Sequence, residues 1–581
     1  MNVFEHQSFL LRRPPDAEHP LGERVRRTYR EIMTGPDEEL YFDYPLEYLN
    51  VAALGLCAAL TQAALEPETA HDLEARIAAP LSLQEFEQAV TPFLEPFSID
   101  GQVRFMQGRA LESDPKKAAA LLQDKVSLTV SDFMNRPDNN WVVSPDQIPL
   151  LLFSRATFFE KTAGRGYKGG TSGDLEVRTF LTHSASLRKT IWLNVLTSEQ
   201  QQRDYEGDFT EPGSAEGYDQ WMWISPPTED LPQGEISLRA GLFWLAATNV
   251  VWMQELEKPR PCIVTGEMVT GQAGVRVVTK ATGIAYGVKV NNLQEEDGGR
   301  LSFFRHPNAP YAVRKNKKGE IFHQHLTVDR ISGLLGHMAG LFFSGGGGKD
   351  EGYHIAPALR QYSNLQRSTK QGLAINLHCF GFHMLSSKMN IHGGCESERF
   401  RYPMIEDSSA ELMSNLQGLM SGAATQAEEI RKLMTRAVQV CMMVEVDASE
   451  KDGRFQFKQT ANLQNGSDYK GFVRDIGREF WSRVSANMGE LLRRVEAAAS
   501  TPDQMDEAAE AITTWWRREA AIIAKEIFDR YFDDYSQSAD HLAAAHAARN
   551  IFYAGLRQQG IKLYEAEQPE QTPQQPVEET A

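Results

Sequence analysis

The sequence predicts an α+β chain, a large irregular mixed α/β body followed by a C-terminal four-helix bundle, and three observations carry that expectation. The chain has 581 residues, enough for more than one domain at roughly 100 to 200 residues each. Through residue 404 short apolar runs are separated by Gly, Pro and Asn, and beyond it apolar residues recur at three-and-four spacing over long stretches. Runs punctuated by turn formers read as strands and long loops, whereas three-and-four spacing reads as amphipathic helix.

In the body, 1–404, the strand candidates include 275–278, interrupted by Arg276, then 288–290 and 375–382. In the bundle, 405–562, helical spacing runs through 408–446, 468–498, 503–535 and 538–557, with breaks at Asp452, Gly453, Thr501 and Pro502. Four helices on short loops pack most economically up and down. Trp515, Trp516, Phe528, Tyr531 and Phe532 recur there and are expected to line the bundle core. The tail, 563–581, is acidic, rich in Pro and Gln and poor in apolar residues, so it is expected to be disordered.

Charge and cysteine usage narrow the function classes. A formal charge of −18 argues against a protein wrapped throughout by nucleic acid, because phosphate affinity needs concentrated Lys and Arg. Local basic clusters remain, as at Arg314, Lys315, Lys317 and Lys318, or Arg399 and Arg401; such clusters serve more often as solvated faces than as sites. Five scattered cysteines, Cys57, Cys262, Cys379, Cys395 and Cys441, do not suggest a disulfide framework. No apolar run reaches the ~18 residues of a membrane span, and charges interrupt the apolar N-terminus MNVFEHQSFLLRRPPD. The expectation is a soluble cytoplasmic protein with no membrane partner.

The most informative stretch is 163–197, AGRGYKGGTSGDLEVRTFLTHSASLRKTIWLNVLT, which joins a glycine-rich basic loop to an apolar run. Glycines such as Gly164, Gly166, Gly169, Gly170 and Gly173 let a ligand approach the main-chain amides, and Arg165 and Lys168 offer charge to phosphate. A solvated hairpin tip uses glycine in the same way. The loop matches neither GxxxxGK[ST] nor a dinucleotide fingerprint, so a phosphate partner here would be a polymer backbone.

His378, Cys379, His383, His392 and Cys395 lie together in LHCFGFHMLSSKMNIHGGC, and zinc uses such side chains. On a strand, however, His378 and Cys379 point to opposite faces, and no second paired spacing completes four ligands. His323 and His325 flank Gln324 on one strand face and read as surface or core histidines. No GxSxG elbow, HExxH helix or nuclease-like carboxylate set appears. The expectation is a binding protein rather than an enzyme, with no metal and no cofactor. A metal-dependent nuclease built on the His378 to Cys395 cluster is the alternative.

The order of landmarks adds a further reading. LSLQEFEQAVTPFLEPF (81–97), FMQ (105–107), FMN (133–135), KGGT (168–171), LRKTIWLNVLT (187–197), GLFW (241–244) and EFW (479–481) follow one another along the chain. In that order they resemble the CasA family, the large subunit of type I-E Cascade CRISPR surveillance complexes. The resemblance implies guide-RNA-directed recognition of double-stranded target DNA, in which base pairing reads the sequence and the protein reads a short flanking motif. It implies as partners the guide RNA, the backbone and small Cascade subunits, and a separate helicase-nuclease effector. It also implies help in starting strand separation and R-loop formation, with the bundle serving assembly.

Carried over residue by residue, the family's glycine loop falls on Gly164, Arg165, Gly166, Lys168, Gly169, Gly170 and Thr171, with Gly169, Gly170 and Thr171 the best-matched positions. Phe133 and Asn135 match the loop that docks on the upstream end of the guide RNA. The family's lysine finger should precede AYGVKVNNL, where this chain has Gly283 and Ile284, leaving Lys280 and Lys289 as nearby substitutes. Its glutamine wedge corresponds to MLSSKMN, which has no Gln and offers Lys388 or Asn390. Some members hold zinc with two cysteine pairs; here the first is absent and PCIVTG leaves Cys262 with Thr265, so no structural zinc is expected. A scaffold subunit that does not read DNA is the remaining alternative. Arg493, Arg494, Arg517 and Arg518 on the bundle are candidates for the displaced strand or for plain solvated surface.

Overall fold

A computed structural model describes residues 1–108, 115–122, 141–158, 176–205, 221–225, 237–243, 247–281, 306–315, 321–329, 331–343, 352–369, 375–386, 391–403, 405, 409–442, 449–451, 454–456, 467–561 and 563. The chain divides into two compact units, Met1–Gly418 and Leu419–Ala581.

The first unit opens with α1 (Val3–His6), β1 (Ser8–Arg12), β2 (Arg24–Thr28), α2 (Tyr29–Thr34), β3 (Tyr41–Phe42), α3 (Glu47–Ala64), α4 (Ala70–Ala78) and α5 (Leu83–Val90). Three of these helices start on reciprocal caps, Thr28 with Glu31, Thr69 with Asp72 and Ser82 with Glu85, each pairing two otherwise unsatisfied backbone donors. Helix α3 is apolar around almost its whole circumference and is correspondingly buried. Gly55 on α3 allows a close approach by Phe153 and Phe180.

Next come β4 (Lys116–Lys117), α6 (Ile148–Phe158), β5 (Arg178–His183), α7 (Leu187–Leu193), α8 (Ser198–Tyr205), α9 (Leu238–Leu242), β6 (Ala247–Glu255), β7 (Arg260–Pro261), β8 (Met268–Val269) and β9 (Gln272–Ala281). The unit continues through β10 (Tyr311–Lys315), β11 (Ile321–His325), α10 (Met338–Phe342), β12 (Gly352–His354), α11 (Pro357–Thr369), β13 (Ile375–Ser386) and β14 (Ile391–Arg401). These strands form small separate sheets, ordered β2-β1-β3, β4-β9-β6, β11-β10-β12, β14-β13-β5 and β7-β8. Each of these sheets holds two or three strands, the longest pairs being β6 with β9 and β13 with β14, which is the irregular mixed body the sequence predicts.

Several landmark motifs prove to be core. Phe105 of FMQ and Phe243 of GLFW are sealed in an aromatic cluster with Phe97, Trp221 and Trp223. Gln107 of FMQ accepts the Val251 backbone N–H through Oε1 at 3.0 Å. In LRKTIWLNVLT, Asn194 bonds both backbone groups of Leu181 on β5, accepting at 3.0 Å and donating at 2.8 Å.

The second part carries α12 (Ala410–Cys441), a short hairpin of β15 (Ser449–Lys451) and β16 (Arg454–Gln456), α13 (Ser467–Ser485), α14 (Met488–Ala499), α15 (Met505–Ser536) and α16 (Leu542–Gln558). The division between units falls inside α12; Gln417, the penultimate residue of the first unit, donates to the carbonyls of Phe343 and Tyr353 within that unit. The segment expected as one helix over 468–498 is two, interrupted at Ala486 and Asn487. Asn487, a turn former, stands at the break while keeping near-helical angles, φ −89° and ψ −4°. Of the five aromatics expected in the core, Trp516 and Phe528 are sealed, and Trp516 donates its indole N–H to the Ala423 carbonyl at 2.8 Å. Neighbouring helical residues point about 100° apart, and Trp515 lies half-buried under the Arg494 guanidinium. Tyr531 and Phe532 are likewise half-buried, beside Arg530 and Arg549. Among the described residues no helix is long and apolar enough to cross a membrane.

Candidate nucleic-acid interface

The glycine loop residues Gly164, Arg165, Gly166, Lys168, Gly169, Gly170 and Thr171 lie outside the described residues, as do Phe133, Asn135, Lys289, Lys388 and Asn390. Lys280 stands on β9 opposite Thr248 of β6. The structure shows how the segments bearing these residues are anchored.

Both ends of the glycine segment, 159–175, stand on the middle of β13. On one side Phe158, the last residue of α6, packs its ring 5.4 Å from Phe380 and 5.4 Å from Phe382. On the other, Glu176 bridges Thr327, and the Val177 N–H donates to the Leu326 carbonyl at 2.7 Å. Gly381 leaves the space that Val328 and Val177 fill. Strands β5 and β13 are antiparallel, with Arg178 opposite Phe380. The chain arriving at β5 therefore comes from the end of the sheet toward which β13 departs. There β13 passes two register shifts, between Phe382 and Met384 and between Met384 and Ser386, and β14 returns with Ile391 opposite Ser386. Such bulges bend a strand and re-aim its side chains. Lys388 and Asn390 thus fall in sequence between Ser386 and Ile391, which pair at the sheet end where Arg178 of β5 begins.

A third segment, 282–305, which includes Lys289, rejoins the described chain at His306. Two residues later the Asn308 carbonyl accepts the Thr179 N–H at 2.7 Å, so this segment too returns against β5.

A buried polar cluster underlies that junction. Glu176 is about 1% exposed, with Oε2 3.2 Å from Arg178 Nη1 and Oε1 2.5 Å from His325 Nδ1. His306 is fully enclosed; burial first, and then the nearby Arg178 and His325, hold its imidazole well below the ordinary value. Its Nδ1 accepts the Asn308 backbone N–H at 3.1 Å, as a neutral ring does. The sequence reading singled out His325 but not Glu176, Arg178 or His306. The missed signal was Glu176 two residues before Arg178 in an extended stretch, a spacing that puts opposite charges on one face.

The His378 to Cys395 region is organised differently. His378 Nε2 donates to Ser397 Oγ at 2.8 Å, and the Ser397 hydroxyl donates to Glu47 Oε1 at 2.8 Å. Burial would raise the Glu47 carboxyl, but hydrogen bonds from His378, Asn50 and Ser397 outweigh it and hold the group at about 2. Cys379 faces away from His378, and burial, then Glu398, pushes its thiol well above the ordinary value. Burial also raises Cys395. Among the described residues no group of three or more His, Cys, Asp or Glu is arranged to hold a metal. At the PCIVTG turn the Thr265 hydroxyl accepts the Glu267 N–H at 3.3 Å, and Cys262 is buried beneath.

On the bundle, Arg493 and Arg494 are both bonded to Glu490, and Arg517 donates to the Gln559 carbonyl. Arg518 stays exposed.

Comparison with known proteins bears on what this arrangement serves. The family model described as CRISPR-associated protein Cse1 matches residues 21–527. The structure of Thermus thermophilus CasA (Cse1) is similar at 15% identity and a TM-score of 0.62, covering 96% of this chain and 99% of that one. Cse1 from Acidimicrobium ferrooxidans gives 15% identity and a TM-score of 0.63, covering 96% and 98%. A chain of a CRISPR RNA-guided surveillance complex gives 13% identity and a TM-score of 0.56, covering 95% and 99%.

Proposed function

This chain belongs to the CRISPR-associated Cse1 family, and from that premise we propose that it is the large subunit of a type I-E-like Cascade, an RNA-guided surveillance complex. It works there with guide RNA and the backbone and small subunits, in the cytoplasm, and does no chemistry itself. Its body reads the motif flanking the target in double-stranded DNA, helps start R-loop formation, and helps to recruit the helicase-nuclease that cuts.

The observation that carries the proposal is shared anchorage. The described residues on both sides of 159–175 and of 387–390, and those that follow 282–305, all meet the sheet of β5, β13 and β14, the first two sets at the same end. Reading a duplex from its minor groove needs backbone close to base edges and cations near both phosphate strands. Gly169, Gly170 and Thr171 supply the first, and Arg165, Lys168, Lys289 and Lys388 supply the second, with Asn390 beside the point of strand opening. Lys280, on the other sheet, is the remaining candidate for the lysine finger. The minor groove distinguishes base pairs poorly, so the reading predicts tolerance of several related motifs.

The test is binding of the reconstituted guide-loaded complex to target duplexes with randomised flanking bases, with and without Gly169→Asp and Gly170→Asp. Flank enrichment is expected and is expected to disappear in the variants. Equal binding to every flank, unaffected by either substitution, would reject the reading and leave a scaffold subunit.

A further inference from the structure

Away from that sheet, the strand pairings assemble a row that no motif announced. Lys117 of β4 and Trp252 of β6 both lie opposite Arg276 of β9, and directly opposed residues share a face of the sheet. All three are exposed, the Trp252 indole by 49%. On the other face, Val251 and Val277 are sealed. With strands about 4.8 Å apart, Lys117 and Trp252 stand roughly 10 Å from one another. Among the described residues neither Lys117 nor Arg276 has an ion-pair partner, and Trp252 has no ring contact. Many arginines elsewhere do, for example Arg12, Arg13, Arg24, Arg26 and Arg27, each beside an Asp or Glu.

We propose that the row of Lys117, Arg276 and Trp252 binds single-stranded RNA, one base stacking on the Trp252 indole while Arg276 and Lys117 hold adjoining phosphates. Charge selects this occupant. In a chain of net charge −18, two exposed cations without acidic partners beside a bare indole suit a polyanion with unstacked bases. Position supports it independently. Strand β4 leads through one short 3-10 helix, Ala118–Leu121, to the segment 123–140 that bears Phe133 and Asn135. That segment returns at Trp141, 38% exposed, and then at Val143, which bridges Gly274 of β9. Lys117 before the segment and Val143 after it therefore lie along the same edge of β9. The inference rests on the reading that Phe133 and Asn135 dock on the guide RNA, and adds a second contact to the same unpaired end.

The experiment adds this chain to guide-loaded partner subunits whose RNA carries 4-thiouridine at single positions of its upstream end. Ultraviolet cross-linking followed by peptide mapping is expected to find the β6 peptide containing Trp252. Trp252→Ala should weaken association about tenfold, in line with the loss of one stacked base, without changing thermal stability. Arg276→Gln should lower the salt slope of binding by about one. No β6 cross-link, or unimpaired binding by both variants, overturns the inference. If Phe133→Ala still weakens binding in that case, the guide-end reading survives alone; if Phe133→Ala and Asn135→Ala are also neutral, that reading falls first. Weakened binding without a cross-link assigns the row to a neighbouring protein and overturns the RNA assignment.

Discussion

His325 Nδ1 stands 2.5 Å from Glu176 Oε1, and both side chains are withdrawn from solvent. The other oxygen of the same carboxylate faces Arg178 at 3.2 Å. One buried carboxylate thereby ties the end of the glycine segment to β5 and to β11.

Glu176→Gln is expected to destabilise the first unit by about 3–5 kcal/mol, since it removes one partner of a buried ion pair with Arg178. Flank-dependent DNA binding should fall with it, because the glycine segment loses one of its two footings. Urea unfolding monitored alongside DNA binding checks both, and an unchanged unfolding midpoint would reject the assignment.

His306 predicts a pH dependence. Its folded-state ring is held neutral by burial and by the nearby Arg178 and His325, whereas in the unfolded chain it takes up a proton below about 6.5. Stability from this position is therefore complete above that value and lost as pH falls below it. The urea midpoint should drop between pH 7.5 and 5.5, and His306→Gln should reduce the drop. Parallel losses in parent and variant would count against it.

Arg188 predicts that a charge-preserving exchange fails. Its guanidinium donates to Asp37 Oδ1 at 2.8 and 3.0 Å and to the carbonyls of Ile77 at 3.1 Å and Ala79 at 2.9 Å, with Arg76 a further acceptor. These carbonyls close the C-terminal turn of α4. A lysine cannot span that fan, so Arg188→Lys should cost about 2–4 kcal/mol, and amides of α4 should exchange faster with solvent. Unaltered exchange there would contradict the prediction.

Gly381 tests the footing of the glycine segment without touching the segment. A Cβ added there would stand 2.3 Å from Val328 Cγ2, and valine is stiff about χ1. Gly381→Ala should cost about 1–3 kcal/mol and weaken flank-dependent binding. The double variant with Val328→Ala should recover part of both losses. No recovery would mean that the clash is not the cause.

How much of this was legible follows from what each residue does. The ordered motifs were readable because several are core: Phe105, Phe243, Phe480 and Trp481 are sealed, and residues with many neighbours leave few alternatives. Arg188 and Asn194 were visible within a motif, yet their hydrogen-bond roles were not, since their partners lie over a hundred residues away or on the preceding strand. The row at Trp252 escaped the sequence reading because it exists only across three strands, with Lys117 and Trp252 more than 130 positions apart. The glycine loop was conspicuous, but its footing on Phe158, Val177 and Gly381 depends on an antiparallel pairing that no local spacing encodes.

That footing has a consequence for exchange. The sheet of β5, β13 and β14 acts as a socket: Phe158, Val177 and the Ser386 and Ile391 pair fix where the two segments leave and rejoin it, while nothing in the socket dictates what they carry. On the reading proposed above, exchange of the 387–390 connection or of the glycine segment gives a new flanking preference while the sheet that holds them is kept. An engineer can graft a relative's connection between Ser386 and Ile391 for the same purpose.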